Sequence, residues 1–294
     1  MYGVIHKIKG AMVSFESLTG YQCKGIFYHR QENKITVIHV HGSYGNFYDN
    51  AFIHKMAYEY DKAGVNLLSF NLQTYGGFND GFIHNSYCYI GGALSPFETC
   101  CADIGGAIKF VSQFKQQIIL QGHSLGTDKI LYYMINSGET YPFILLSPCD
   151  SYALQENWIY PEKVEHQIER IRKLPDRKWN WLDEKEYGIK TETENYAIPI
   201  TKAAFLSLAE GFNFKYTRIV NSEVSYFLDT TAFIYIGKQD SYQTSDSDAV
   251  QEFYKEKIKK PFFCIEEMGN HELDKVSEKV IQNIIEWFDS STYR

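Results

Sequence analysis

From residue 35 onward the chain alternates short, nearly unbroken apolar runs with longer segments in which apolar residues recur every three to four positions. Runs of the first kind lie at 35–40, 65–70, 117–121, 143–146, 231–236 and 262–266. They are rich in β-branched residues and show no polar face, as strands covered on both sides require. Segments of the second kind, at 48–63, 96–114, 125–137, 245–258 and 272–288, predict helices. In the last of these Val276, Val280, Ile284 and Trp287 share one helical face, so this helix should pack on the sheet. The alternation as a whole predicts an α/β fold, a mostly parallel sheet flanked by helices. Residues 1–33 keep another rhythm. Short β-like runs at 12–15 and 25–28, separated by turn residues, predict an opening antiparallel hairpin.

The rhythm stops between the runs at 143–146 and 231–236, and the gap is too long for a plain loop in a compact domain. Residues 151–229 are therefore expected to form an inserted cap, with 1–150 and 230–294 forming the core. A chain of 294 residues suits one domain with such an excursion. The cap holds Trp158, Trp179, Trp181, Phe205, Phe212, Phe214 and Tyr216. These aromatics either line an acyl or aryl pocket or pack the cap against the core.

Composition narrows the function classes. A hydrophobic share of 44% with 22% charged residues is globular, and a net charge of −7 leaves no broad basic face for nucleic acid. No stretch of about 18 uncharged apolar residues occurs, so no membrane span is expected. The first ten residues lack the sustained apolar run of a secretory leader, and the six cysteines form no C-x-x-C pair. A soluble cytoplasmic protein with buried free thiols is the expectation.

The chemistry begins at Gly122-His123-Ser124-Leu125-Gly126, which follows one strand-like run and precedes a helix-like one. A serine on such a tight turn has its hydroxyl held at the carboxyl edge of the sheet, and small residues on either side let strand and helix approach closely. Ser124 is thus the candidate nucleophile. It needs a base, and the base needs an orienting acid. After Ser124 only His166 and His271 remain as histidines; His166 lies in a charged run of the cap, whereas His271 follows the run at 262–266. His271 is the expected base. Asp240, just beyond the run at 231–236, is the expected acid, with Asp246 and Asp248 near enough to compete. His123 should point away from Ser124 and support the packing. Two backbone amides are needed for the developing oxyanion: Leu125 supplies one, and the His41-Gly42-Ser43-Tyr44-Gly45 loop supplies the other through Ser43, with Tyr44 as the alternative. Glycine and polar residues up to Asp80 predict a mobile loop at the entrance, where Gln73, Tyr75 and Tyr44 would meet substrate. Serine acyl chemistry needs no cofactor or metal, and no H-E-x-x-H or H-x-x-x-H spacing occurs.

These pieces, in this order and each after a strand, resemble the α/β-hydrolase superfamily. The resemblance implies an α/β-hydrolase fold and a serine hydrolase acting on a small-molecule carboxylic ester. Its alternatives are a thioesterase or acyltransferase using a carrier-protein-bound or coenzyme A-bound acyl group, and a ligand-binding protein without turnover. The longer strings around His41-Gly42 and Ser124 look similar to a branch that includes siderophore esterases, which implies a hydroxy-acid or peptide-like ester. One departure is Asn71-Leu72-Gln73-Thr74-Tyr75-Gly76-Gly77, where relatives often have an arginine-glycine turn.

Overall fold

The computed structural model describes residues 8–156, 163–175, 200–210, 218–219 and 225–290, and the backbone of 181–182. Twelve strands follow one another in these residues: β1 (Ala11–Glu16), β2 (Gln22–Tyr28), β3 (Ile35–Val40), β4 (Val65–Asn71), β5 (Asn79–Ile83), β6 (Ser86–Ile90), β7 (Gln117–His123), β8 (Phe143–Leu146), β9 (Trp181–Leu182), β10 (Ile200–Thr201), β11 (Leu228–Gly237) and β12 (Ile258–Glu266). The helices are α1 (Ala51–Lys62), α2 (Thr99–Ser112), α3 (Leu125–Ser137), α4 (Ser151–Leu154), α5 (Val164–Arg172), α6 (Lys202–Glu210), α7 (Ser247–Lys257) and α8 (Ser277–Ser290).

Eight strands form one sheet in the order β1-β2-β4-β3-β7-β8-β11-β12. β1 and β2 form the expected antiparallel hairpin, and β2 lies antiparallel on β4. Every remaining pairing is parallel. Side chains alternate across a strand, so adjacent residues feed opposite apolar layers. Ile38, Leu68, Leu120 and Ile234 pack beneath α2, α3 and α7, while their neighbours Val37, Leu67, Ile119 and Phe233 pack beneath α1 and α8. Both faces being covered explains why these runs carry no polar side. In α8, Val280, Ile284 and Trp287 are buried against the second layer, as their spacing predicts; the helix starts one residue after Val276.

Between β8 and β11, Tyr152, Val164, Ile171, Ile200, Ala204, Phe205 and Ala209 form a separate small core. Phe205 therefore packs within this segment. Trp158, Trp179, Phe212, Phe214 and Tyr216 lie outside the described residues, as does the side chain of Trp181.

Residues 72–78 form a loop of turns and bends, and the element that follows it is one the sequence pattern does not predict. Residues 79–90 form a β5–β6 hairpin, with Asn79 opposite Ile90 and Ile83 opposite Ser86. Its turn, His84-Asn85, has φ of 48° and 61°, the pair of left-handed residues that a two-residue primed turn needs. An isolated bridge from Tyr21 to Ile83 and a bond from the His84 N–H to the Gly20 carbonyl (2.9 Å) tie the hairpin to the β1–β2 turn.

Candidate active site

The turn from β7 into α3 puts Ser124 at φ 55°, ψ −130°, a strained backbone conformation for an L residue. Close approach makes the flanking glycines obligatory. A Cβ at Gly126 would sit 2.1 Å from the Val40 carbonyl oxygen, and one at Gly122 would sit 2.3 Å from the Gly126 oxygen. The Ser124 N–H donates to the Leu146 carbonyl (3.0 Å), which fixes the turn to β8.

Opposite the serine, β3 ends at His41-Gly42-Ser43. A Cβ on Gly42 would lie 2.9 Å from Ser124 Cβ and 3.4 Å from its Oγ, so this backbone lies directly against the hydroxyl. His41 is buried; its Nε2 accepts from the Leu72 N–H (3.2 Å), which leaves Nδ1–H to donate to the Gly42 carbonyl (3.0 Å). Burial holds the His41 imidazole well below its ordinary pKa, so this neutral arrangement persists. Among the described residues, neither the Ser43 N–H nor the Leu125 N–H has a hydrogen-bond partner. Tyr44 follows at φ 51°.

The remaining two loops bring Asp240 and His271 together. Beyond β11, the Asp240 carboxylate is buried and lies 2.9 and 3.0 Å from His271 Nδ1. The Tyr242 N–H also donates to Asp240 Oδ1 (2.8 Å). The two competing acids are occupied elsewhere: Asp246 caps α7 by accepting from the Asp248 and Ala249 N–H groups, and Asp248 stands in that helix's first turn. His166 sits on α5. No hydrogen bond joins Ser124 Oγ to His271 among the described residues. Such bonds are often long in a resting site.

His123 does more than pack. Its Nε2–H donates to the His271 carbonyl (2.8 Å), Ser147 Oγ donates to the same oxygen (3.0 Å), and His123 Nδ1 accepts from Asn50 (3.2 Å). Burial, and then the nearby His271, lower the His123 pKa to about 3, so it remains neutral and keeps this tautomer. The residue before the candidate nucleophile thus holds the loop of the candidate base.

A narrow cavity of about 40 Å³, the room of a few water molecules, opens beside Ser43 and Leu125, the chain neighbours of Gly42 and Ser124; Ser124 and His271 do not themselves line it. Ser43, Tyr44, Thr74 and Leu125 form its inner wall; Ile200, Ala204 and Leu208, from β10 and α6, form the outer one. Gln73 and Tyr75 flank Thr74 without lining it. The Gln73 N–H is taken by Asp103 Oδ2 (2.7 Å), and Tyr75 packs against the main core.

No family model matches this chain, and no curated protein does. Solved structures do. An esterase of Pyrococcus furiosus, Pf2001, superposes with a TM-score of 0.60 at 15% identity, over 96% of this chain and 91% of that one. The α/β hydrolase GrgF from Penicillium sp. sh18 superposes with a TM-score of 0.62 at 14% identity, over 96% and 97%. This chain has the α/β-hydrolase fold. A further match is Est1E from Butyrivibrio proteoclasticus, solved with ferulic acid bound: TM-score 0.62, 15% identity, over 93% of this chain and 97% of that one.

Two sets of possible metal ligands meet at this site among the described residues, His123 with His271 and Glu272, and Cys149 with Asp240 and His271. Neither set suits an ion. Both His123 nitrogens are engaged, His271 Nδ1 is engaged by Asp240, and burial pushes the Cys149 thiol well above its ordinary range, keeping it protonated.

Proposed function

We propose that this protein is a serine hydrolase that cleaves a small carboxylic ester through an acyl-enzyme on Ser124. The observation that carries this reading is the buried Asp240 carboxylate at 2.9 Å from His271 Nδ1, on the same sheet edge as a serine held at positive φ against Gly42. With Nδ1–H donated to Asp240, the lone pair of His271 Nε2 is free to accept the Ser124 proton. Ser124 Oγ then bonds to the substrate carbonyl carbon, and the carbonyl oxygen takes up the negative charge. The Ser43 and Leu125 amides stabilise that charge, and Tyr44 lines the approach. His271 returns the proton to the leaving alcohol as the ester C–O bond breaks. In the second half, His271 takes a proton from water, the hydroxide attacks the acyl carbon, and Ser124 recovers its proton as the acid leaves.

The esterase named among the similar structures and the ferulic acid bound to another favour an ester substrate. The narrow cavity beside Ser43 and Leu125 favours a short acyl group, with Ile200, Ala204 and Leu208 of the segment between β8 and β11 closing its outer side. Short-chain p-nitrophenyl esters and a fluorophosphonate probe test the proposal. Expected are turnover and Ser124 labelling that survive chelator treatment and disappear in Ser124→Ala. Turnover unaffected by Ser124→Ala would refute it.

A further inference from the structure

Lys129 is 1% exposed on α3, five residues after the candidate nucleophile, and lines the cavity together with Ser43 and Leu125. A buried ammonium is costly and is ordinarily paired with a carboxylate. Here, among the described residues, it makes no such pair: Nζ donates to the carbonyl oxygens of His41 (3.1 Å) and Gly42 (3.2 Å). The Gly42 oxygen also accepts from His41 Nδ1 (3.0 Å) and, at 3.5 Å, from the Gly45 N–H. Three donors and a full positive charge therefore converge on one peptide group, the one that joins Gly42 to Ser43.

We propose that Lys129 is a positioning residue for acyl transfer, holding the Gly42 carbonyl inward so that the Ser43 N–H, on the opposite edge of the same peptide, is aimed and polarised toward the oxyanion. The inference rests on the function proposed above, in which the Ser43 amide serves the oxyanion. Among the described residues no peptide is cis, so C=O and N–H of this unit point in opposite directions, and fixing one fixes the other. A cation drawing on the carbonyl also strengthens the N–H as a donor. The groups facing Lys129 are Cys100 and Asp103 from α2, Asp128 from its own helix, and His41 from the end of β3. Burial pushes the Cys100 thiol and the Asp128 carboxyl well up, raises Asp103 to about 7, and holds His41 neutral. Burial likewise lowers Lys129 to about 8, which brings loss of its charge within reach of a rate profile.

The test is Lys129→Met, a neutral residue of similar volume, assayed for p-nitrophenyl ester turnover and for the rate of Ser124 phosphonylation by a fluorophosphonate. Expected is a fall of about 10- to 100-fold in kcat and in phosphonylation rate, with KM within about threefold of wild type. Wild-type rates should also fall above pH of about 8, and this alkaline limb should vanish in the variant. A folded Lys129→Met that turns over and is phosphonylated at wild-type rates overturns the inference, as does an alkaline limb that persists in it. If Lys129→Met does not fold, Lys129→Gln takes its place, and the wild-type profile stands on its own: no alkaline limb in phosphonylation would refute the role. Ser124→Ala separates the two claims, because unlabelled wild type, or turnover that survives Ser124→Ala, sinks the hydrolase reading itself.

Discussion

Only a hydrogen at Gly42 separates the β3 loop from the candidate nucleophile, since an added methyl carbon would lie 2.9 Å from Ser124 Cβ. Gly42→Ala should therefore lower kcat/KM on the order of 100-fold per folded molecule by displacing the hydroxyl, and should cost about 1–3 kcal/mol of stability, because Ser124 Cβ and the His123 carbonyl must give way. Asp240→Asn removes the carboxylate that fixes the His271 tautomer, and kcat should drop about 10³- to 10⁴-fold while the fold persists. His123 yields a pH prediction. Its folded pKa, about 3, lies below its ordinary 6.5, so between these values the unfolded chain binds the extra proton. The contribution of the neutral ring is complete above about pH 6.5 and is lost as pH falls towards 3. The stability advantage of wild type over His123→Gln, read from urea titrations, should then shrink by about 1.4 kcal/mol per pH unit across that window. The placing of Ser124, Asp240 and His271 beyond β7, β11 and β12 could be read from the sequence because each follows an apolar run, in a set order. The tasks of His123 and Lys129 could not. Their partners are backbone carbonyls 148 and 88 positions away, which no residue pattern marks, and a lysine beside Ile130 and Leu131 reads as an ordinary solvated helix position.

Elements with a strong period were equally open to reading. Runs such as 35–40 and 117–121 became β3 and β7 because two-sided burial leaves a long apolar string. The β5–β6 hairpin stayed hidden for the opposite reason. Asn79, Asp80 and Gly81 open it with poor strand formers, and Phe82, Tyr87 and Tyr89 stand on its exposed side, so no apolar-in, polar-out alternation marks it. The terminal helix gives the test at this scale. Ile284 is fully buried in the apolar layer on the sheet face opposite α3, and Ile284→Ala should cost about 2–5 kcal/mol of unfolding free energy by denaturant titration. Its kcat, per folded molecule, should match wild type.

Across the whole molecule the cavity lies at a joint. Its inner wall belongs to the β3, β4 and α3 segments, its outer wall to β10 and α6 of the segment between β8 and β11, which has a core of its own. Acyl selectivity should therefore be adjustable from the outer wall alone. Leu208→Ala should raise the ratio of kcat/KM for p-nitrophenyl hexanoate over acetate by about tenfold or more, with acetate turnover little changed. The torsion at residue 124 has a further consequence, for durability. A glycine accepts φ 55°, ψ −130° freely, whereas a side-chain-bearing residue there raises the energy of the native state. Replacing the serine with glycine should give a protein that is chemically inert yet tougher, resisting heat as though about 1 kcal/mol sturdier. Selection for reactivity and selection for longevity therefore pull this one position in opposite directions.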